Sequence, residues 1–371
     1  MSRRVLLVAG EASGDLHAAA LVREMKRLAP DVEVAGIGGE HLRAAGMRVL
    51  TDTSEVQTMG FVETLGTLGQ LVKAYRRLKG YLRDERPDLV VLIDYPEFNL
   101  MVAGAAKRLG IPVFYYIGPQ VWAWRRGRVR KIRRRVDRMA LIFPFEPELY
   151  NDERHVADFV GHPLLDVVTA DRPTAETRRL YGLAPEGRVL ALLPGSREKE
   201  VQYLLPPMVE AAEQLKADGW QPIVALAANL EPEFLDGVLG RPLGLPIARG
   251  DTYNTVAAAD VVVVASGTAT LETALLARPM VIVYRVAMLT YVLARLLVRV
   301  RNIGMPNLVL GRSVFPELIQ GKVRPETIAA AVRQVVAEAS SVDPALREVR
   351  GRLGEPGAAR RAAQLALDLI A

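Results

Sequence analysis

The stretch Asp260-Val-Val-Val-Val-Ala-Ser-Gly-Thr-Ala-Thr-Leu-Glu-Thr-Ala-Leu275 predicts both a fold class and a binding site. Its four consecutive valines are typical of a strand that is buried on both faces of a parallel sheet. The strand breaks at Ser266, Gly267 and Thr268 and continues as a helical run rich in Ala and Leu. Such a turn leaves free backbone N–H groups at the helix start, and these groups and the helix dipole favour phosphate. We therefore expect a phosphate site at this turn.

Glu272 lies one helical turn beyond the predicted phosphate site. If Gly267 or Thr268 is the N-cap, Glu272 falls too late in the helix for a capping box. A carboxylate at this position can accept hydrogen bonds from a ribose, whereas a glutamate on an exposed helix face needs no ligand. The stretch alone does not decide between these two interpretations.

Composition excludes several classes of protein. With 371 residues, half of them apolar, the chain can form two domains and is not globally disordered. The absence of cysteine excludes disulfides and thiol chemistry and fits a reducing cytoplasm. The N-terminus has too short an apolar run for a signal peptide, and no uncharged apolar stretch reaches the about 18 residues of a membrane span. The four histidines lack metal-ligand spacing, so we expect no metal.

The net charge of +6 is unevenly distributed along the chain. Residues 125–138 hold nine cations against one acid, a surface that attracts nucleic acid, anionic lipid or phosphorylated substrates. Two apolar segments, at 61–75 and 286–300, are each explained by a core-facing helix or by a surface for lipid. A core-facing helix is the more common explanation of each segment alone, and their combination with the basic run strengthens the interpretation as a membrane surface.

Predicted buried strands alternate with predicted helices along the chain, which implies βαβ units and parallel sheets. A polar, proline-containing stretch at about 163–187 interrupts the pattern, which then restarts. We predict an α/β fold of two Rossmann-like doubly wound domains that face a central cleft, with ligands at the carboxyl ends of the strands. The predicted domains are 1–163 and 164–344, and a C-terminal helix within about 345–371 is expected to pack back on the first domain.

The motif Gly10-Glu-Ala-Ser-Gly-Asp15 directly follows the first predicted strand, and a helix is expected over 15–28. Its glycines allow a tight turn and a close ligand approach, and the helix offers its N-terminus to an anion. The spacing matches neither a Walker A loop, nor a G-x-G-x-x-G fingerprint, nor a G-x-S-x-G hydrolase elbow. A simple tight turn without a ligand is the alternative.

Two further motifs follow predicted buried strands. Asp94 ends the strand Leu-Val-Val-Leu-Ile and is expected to face the ligand crevice, where it can take a proton from an attacking hydroxyl. The alternative is that Asp94 caps the next helix, since Pro96 suits a first helical turn. Pro194-Gly195-Ser196-Arg197 offers backbone donors and a guanidinium, which together suit a diphosphate.

Taken in order, seven motifs of this chain resemble those of the lipid-A-disaccharide synthases, which are glycosyltransferases of the GT-B type (family 19). They extend over nearly the whole chain and are GEASGD (10–15), IDYPEFN (93–99), VWAWR (121–125), FVGHP (159–163), LPGSR (193–197), ASGTATLE (265–272) and PNL (306–308).

The resemblance implies an inverting glycosyltransferase that joins UDP-2,3-diacylglucosamine to 2,3-diacylglucosamine 1-phosphate. The products are the β-1,6 lipid A disaccharide 1-phosphate and UDP, formed by one direct displacement without a metal or another cofactor. Members of the family act in lipid A and lipopolysaccharide biosynthesis as peripheral membrane proteins, so the resemblance implies a cytoplasmic enzyme at the face of the inner membrane. Some members form a homodimer with exchanged C-terminal elements, and the sequence leaves the oligomeric state open.

The resemblance also implies roles for individual residues. Asp94 matches the essential acid that is proposed as general base toward the acceptor 6-hydroxyl, and Arg197 matches the essential arginine of the donor site. Glu272 matches the ribose-binding glutamate, and Asn307 matches a donor-site asparagine. The two turns described above add Ser196, Ser266, Gly267 and Thr268 to the expected UDP site. The acceptor's 1-phosphate needs a cation or a helix N-terminus, for which Ser13, Gly14 and Asp15 are the expected residues.

Two other functions are kept as alternatives. A GT-B relative that acts on non-acylated UDP-N-acetylglucosamine, either a 2-epimerase or a transferase to a soluble acceptor, needs no lipid surface. A nucleic-acid-binding protein would use 125–138 and bind with strong salt dependence. The chain has no recognisable nucleic-acid module, so no nucleic-acid partner is expected.

Overall fold

The computed structural model describes residues 2–10, 12–55, 66–122, 127–288, 290–292 and 301–371, with only the backbone described at 12, 13 and 66–68. The chain divides into two compact units. The first comprises Met1–Asp166 and Gly354–Ala371, and the second comprises Val167–Leu353. The chain therefore leaves the first unit once and returns to it at its end.

The first unit alternates strands and helices. Its strands are β1 (Arg3–Ala9), β2 (Val32–Gly38), β3 (Arg48–Asp52), β4 (Leu89–Ile93), β5 (Val113–Tyr116), β6 (Arg138–Leu141) and β7 (Ala157–Phe159). Its first helices are α1 (Ala12–Leu28), α2 (Glu40–Ala44), α3 (Gly66–Asp84), α4 (Pro96–Arg108), α5 (Arg128–Arg135) and α6 (Pro147–Tyr150). Within the described residues, the strands form a seven-stranded parallel sheet in the order β3-β2-β1-β4-β5-β6-β7.

The second unit repeats this architecture. Its strands are β8 (Arg188–Leu193), β9 (Trp220–Leu226), β10 (Ile247–Arg249), β11 (Val261–Ala265), β12 (Met280–Tyr284) and β13 (Glu317–Ile319). Its helices include α7 (Thr174–Leu180), α8 (Glu198–Lys216), α9 (Pro232–Leu239), α10 (Thr252–Ala258), α11 (Thr268–Leu275), α12 (Met305–Leu310), α13 (Pro325–Ala337) and α14 (Ala339–Arg352). In the described part of this unit, six parallel strands follow the order β10-β9-β8-β11-β12-β13.

The last helix, α15 (Ala358–Leu367), belongs to the first unit. Alternate residues of the first sheet face two separate cores, as the period of a strand requires. One of these cores combines the alanines 362, 363 and 366 of α15 with Ala18 and Val22 of α1. Because alanine side chains are short, the two helices can approach each other closely.

Both sheets have the doubly wound strand order, and each order reverses beside its first strand. The reversal lies between β1 and β4 in the first unit and between β8 and β11 in the second. The motif at 10–15 directly follows β1. The motifs at 93–99, 193–197 and 265–272 begin at the last residues of β4, β8 and β11, respectively. The predicted α/β class with two doubly wound parallel sheets is confirmed, and the motifs lie where such sheets bind ligands.

Some predicted boundaries differ from the structure. The first helix begins at Ala12 instead of Asp15, so Gly14 lies inside its first turn. The short strands β3, β10 and β13 have no long apolar run and were not predicted. Parts of the two apolar segments, at 61–65, 289 and 293–300, lie outside the described residues. No helix within the described ranges combines the length and apolar character that a membrane crossing requires.

Candidate active site

The turn after β4 presents Asp94 at the carboxyl edge of the first sheet, half-buried. Its backbone is left-handed, with φ 46°, a conformation that is uncommon for residues other than glycine. Tyr95 has φ 45° and is the N-cap of α4, in which Pro96 is the first residue. Asp94 therefore precedes the N-cap, and this geometry does not support its interpretation as the helix cap.

Both backbone polar groups of Asp94, its N–H and its carbonyl, form hydrogen bonds within the protein. Its N–H donates to the Ile117 carbonyl at 3.3 Å. Its carbonyl accepts from the Tyr115 hydroxyl at 2.5 Å and from Asn99 Nδ2 at 2.7 Å. These contacts fix the turn from both neighbouring elements, β5 and α4.

Gly10 brings the motif after β1 against the Asp94 turn. A Cβ atom at Gly10 would lie 2.3 Å from Cδ1 of Tyr95 and 2.6 Å from its Cγ. Real Cβ atoms do not approach ring carbons this closely, so only glycine fits beneath the ring. The Tyr95 ring also packs on Phe98, with 5.7 Å between the ring centroids. Gly10 of the first motif and Tyr95 of the second are therefore packed directly against each other.

The residues expected at the acceptor phosphate lie in the first turn of α1. Ser13 and Gly14 are within this turn, where backbone N–H groups have no intrahelical acceptor, and the side chain of Ser13 is outside the described residues. Asp15 is 3% exposed, and its carboxylate accepts the N–H groups of Gly39 at 2.6 Å and His41 at 2.9 Å. Asp15 thus holds the turn before α2, and an anion site here rests on the backbone N–H groups.

A buried carboxyl group that no sequence motif indicated contacts Trp122 of the motif at 121–125. Glu146 is 2% exposed and accepts Trp122 Nε1 at 3.1 Å and the Phe143 N–H at 3.0 Å. Burial raises the pKa of Glu146 to about 7. The only local signal is a carboxyl group beside two phenylalanines in Phe143-Pro-Phe-Glu146. Residues 123–126 of the neighbouring motif lie outside the described residues.

The histidine of the motif at 159–163 joins the same aromatic cluster. The ring centroids of His162 and Phe143 are 5.3 Å apart. Burial, with a smaller contribution from His17, lowers the pKa of His162 to about 3. His162 is therefore neutral at physiological pH, and its Nδ1 accepts the Leu164 N–H at 3.2 Å.

In the second unit, the turn after β11 has the predicted geometry. Gly267 is the N-cap of α11, with φ 156° and ψ −159°, a combination open essentially to glycine alone. Thr268 begins the helix, and both residues are exposed. The Ser266 hydroxyl donates to the Ile303 carbonyl at 3.1 Å, so it is engaged in holding a neighbouring loop. The helix start itself presents N–H groups to solvent.

Glu272 lines a cavity of about 370 Å³ in the second unit. Glu272 is half-buried, so the interpretation as an exposed helix-face residue does not hold. Its Oε1 accepts the Tyr253 hydroxyl at 3.2 Å, and burial raises the pKa of both groups, that of Tyr253 to about 12. The cavity is lined by Thr169, Asp171, Gly250, Asp251, Thr252, Tyr253, Asn254 and Glu272.

The turn after β8 lies beside the turn after β11, because Leu193 pairs with Val264 in adjacent strands. Its Ser196 carbonyl accepts Asn229 Nδ2 at 3.0 Å. The Arg197 side chain is 81% exposed and forms an ion pair with Glu200 at 2.9 Å. Exposed pairs are worth only about 0–1 kcal/mol, so Arg197 can exchange this partner for a diphosphate at little cost.

Asn307 has no side-chain exposure, and its hydrogen-bonding positions are used within the protein. Its Nδ2 donates to the Phe315 carbonyl and to Glu317 Oε1, both at 2.8 Å. Its Oδ1 accepts the N–H groups of Val314 at 2.9 Å and Phe315 at 3.0 Å. Because Glu317 also accepts the Ile303 N–H at 2.8 Å, Asn307 supports the loop that binds the Ser266 hydroxyl. The contacts of the Asn307 side chain therefore hold neighbouring segments of the protein, and Asn307 also lines a cavity of about 470 Å³.

The basic run is only partly available to a partner. Arg128 pairs with Glu97, Arg133 pairs with Asp152, and Arg135 Nη1 donates to the Leu100 carbonyl at 2.6 Å. The exposed cations of α5 are Arg130, Lys131 and Arg134. Over the described ranges, no group of three or more His, Asp or Glu side chains is arranged to hold a metal ion.

The chain is similar in sequence to enzymes of one family. Residues 5–366 match the family described as lipid-A-disaccharide synthetase. A lipid-A-disaccharide synthase of Syntrophus aciditrophicus is 47% identical over 376 residues, which cover 100% of this chain and 98% of the relative. The enzyme of the same name from Myxococcus xanthus is 44% identical over 373 residues, which cover 99% of this chain and 97% of the relative.

Solved structures with the same fold have little sequence in common with the chain. The calicheamicin glycosyltransferase CalG4 has a TM-score of 0.65 at 18% identity, over 99% of this chain and 98% of CalG4. MurG of Acinetobacter baumannii has a TM-score of 0.62 at 14% identity, over 99% of both chains. At such identities the likeness shows the fold alone, and it confirms the predicted GT-B class.

Proposed function

Because the chain belongs to the lipid-A-disaccharide synthase family of glycosyltransferases, we propose that it joins UDP-2,3-diacylglucosamine to 2,3-diacylglucosamine 1-phosphate. The products are the β-1,6-linked disaccharide 1-phosphate and UDP. The observation that carries this proposal is that four of the seven family motifs lie at the carboxyl edges of the two sheets, beside the reversals of strand order. The first unit takes the acceptor, and the second unit takes the UDP-sugar donor.

The second unit supports the donor role through two neighbouring features. The cavity at Glu272 suits a nucleoside, because a half-buried carboxylate can accept both ribose hydroxyls. The start of α11 and the Ser196-Arg197 turn offer backbone N–H groups and a guanidinium to the diphosphate. Asn307 supports the donor site through the loop at Ile303.

The transfer is a single displacement at the anomeric carbon. The acceptor 6-hydroxyl forms the new carbon–oxygen bond while its proton passes to the Asp94 carboxylate. The bond between the anomeric carbon and the diphosphate breaks, and its electron pair leaves with UDP. The dipole of α11 and the Arg197 guanidinium stabilise the charge that develops on the diphosphate. Attack on the face opposite the leaving group inverts the anomeric configuration.

The acylated substrates imply contact with a lipid surface. The first turn of α1, through the N–H groups near Ser13 and Gly14, receives the acceptor's 1-phosphate.

Exposed apolar side chains at Val72, Met288 and Val292, together with the exposed cations of α5, support peripheral association with the cytoplasmic face of the inner membrane. A homodimer is compatible with this proposal but is not required by it.

The direct test supplies both acylated monosaccharides to the purified protein. We expect mass spectrometry to detect the disaccharide 1-phosphate, and the coupling constant of the anomeric proton to report a β linkage. A parallel reaction uses non-acylated UDP-N-acetylglucosamine as donor. Equal turnover of the two donors, or epimerisation of the free nucleotide sugar, would favour the alternative function. The relatives that are 41–47% identical along the whole chain favour the acylated substrates.

A further inference from the structure

Backbone strain is concentrated around Asp94. Among the described residues, six residues other than glycine have positive φ. Two of them, Asp94 and Tyr95, form the turn after β4, and a third, Ile117, directly follows β5 and accepts the Asp94 N–H with its carbonyl. Ile117 is β-branched and has φ 57°, which makes it a genuine outlier. Residues in this region cost about 1–3 kcal/mol each and persist only where the surroundings enforce them. Such strain is typical of functional sites. The side chains that hold the backbone in this conformation are therefore candidates for a role in function.

Tyr115 is the first enforcing group. Its side chain is fully buried, and its hydroxyl donates to the Asp94 carbonyl at 2.5 Å. Burial, with the nearby Asp94 charge as a smaller cause, raises the pKa of Tyr115 well above its usual range. The hydroxyl therefore stays protonated and remains a donor throughout the working pH range of the enzyme.

Asn99 is the second enforcing group, because its amide nitrogen donates hydrogen bonds to two carbonyls of the turn. Its Nδ2 donates to the carbonyls of Ile93 at 3.0 Å and Asp94 at 2.7 Å. A flipped amide would place its oxygen against these two carbonyl oxygens, so the orientation is fixed. Its Oδ1 is buried and finds no hydrogen-bond partner among the described residues. The two hydrogen bonds that Nδ2 donates show that the Asn99 amide holds the carbonyls of Ile93 and Asp94.

We propose that Tyr115 and Asn99 are positioning residues of the transfer reaction, which hold the strained Asp94 turn so that the carboxylate meets the acceptor hydroxyl. The inference rests on the proposed role of Asp94 as general base. Both side chains act on the peptide between Asp94 and Tyr95, and neither needs to touch a substrate. Without them the peptide relaxes toward an unstrained conformation, and the Asp94 side chain changes direction. Misplacement of a reacting group by 1 Å can cost about 100-fold in rate.

The test is the Tyr115→Phe variant, and the next residue in β5 is its matched control. Tyr116 is also fully buried but faces the other core, and its hydroxyl finds no hydrogen-bond partner within the described residues. We expect Tyr115→Phe to lower kcat by about 10- to 100-fold while the KM of both substrates and the affinity for UDP change less than about twofold. Tyr116→Phe is expected to keep wild-type turnover. Equal turnover in the two variants would overturn the inference.

A double variant separates positioning from a general structural effect. In an Asp94→Asn background, Tyr115→Phe should lower the residual rate by less than about threefold, because no base remains to be positioned. A full 10- to 100-fold loss in both backgrounds would show that Tyr115 does not act through Asp94. Near-normal turnover of Asp94→Asn alone would instead refute the proposed base. The failure of the inference and the failure of the proposed function are thus distinguishable.

Discussion

Replacing Glu146 by glutamine is expected to flatten the pH dependence of stability. The native pKa is raised from 4.5 to about 7 because the group is buried. Below pH 4.5 the carboxyl is protonated in both the folded and the unfolded chain, and its contribution to stability is fully present. Between pH 4.5 and 7 the unfolded chain releases this proton while the folded chain keeps it, so stability falls as pH rises. Above about pH 7 the contribution is lost.

The size of the effect follows from the shift. One pKa unit corresponds to about 1.4 kcal/mol, so a shift of this size corresponds to roughly 3 kcal/mol between pH 4.5 and 8. Glutamine carries no titrating proton and has no such slope. Its amide nitrogen must face an N–H donor, because both carboxylate oxygens of Glu146 accept hydrogen bonds. This adds a cost of about 1–3 kcal/mol that does not depend on pH.

The assay is urea unfolding of both proteins from pH 4.5 to 8, followed by tryptophan fluorescence, to which Trp122 contributes beside Glu146. The difference between the two free energies of unfolding cancels the other titrating groups. We expect this difference to shift by roughly 3 kcal/mol in favour of the variant as pH rises. Glu148→Gln, at an exposed position on α6, is the control and should leave the slope unchanged. Parallel curves for Glu146→Gln and wild type would refute the reasoning.

Three further predictions concern the two sheet edges. Asp94→Asn is expected to lower turnover, measured by steady-state kinetics, by about 100-fold or more. The affinity for UDP, measured by calorimetry, should stay nearly intact. Near-normal turnover would exclude Asp94 as the general base. Glu272→Gln should weaken UDP binding by about fivefold, because a charge-assisted hydrogen bond is stronger than a neutral one by about 1 kcal/mol. Unchanged affinity in calorimetry would exclude the ribose contact. Gly10→Ala should displace the Tyr95 ring and lower turnover by about tenfold or more, with UDP affinity unchanged. Its control is Gly80→Ala on α3, where an added Cβ would meet only Asp84 Oδ2, at an ordinary contact distance of 3.9 Å, and turnover should be retained. An active Gly10→Ala would contradict the packing argument.

The fold was predictable because its central strands are long and apolar. β11 contains the four valines and ends directly before Ser266, as predicted, because such a run is typical of a strand covered on both faces. The start of α1 was placed three residues late, because Gly10 and Gly14 suggested a loop. The hydrogen bonds of Asp15 with Gly39 and His41 join residues that are 24 and 26 positions apart, and local spacing does not encode such contacts.

The candidate site was predictable in its positions more than in its contacts. A carboxylate or a Ser-Gly turn at the end of a buried parallel strand reaches the ligand edge for topological reasons, which located Asp94 and Ser266. The supporting contacts of Asn307 with Glu317, and of Trp122 with Glu146, join residues whose proximity the strand periods do not encode. The family resemblance named Asn307 but did not reveal that its side chain is fully engaged.

The return of α15 to the first unit has a consequence for biosynthesis. The ribosome makes Met1–Asp166 first and must then synthesise all of Val167–Leu353 before α15 exists. At a synthesis rate of about 5–20 residues per second this interval lasts about 10–40 s, far longer than strands and helices need to form. Throughout it, the face of α1 that later receives the alanines of α15 lacks its covering helix. The nascent chain therefore displays an apolar face on which chaperones can act, and the unit that starts to fold first is completed last.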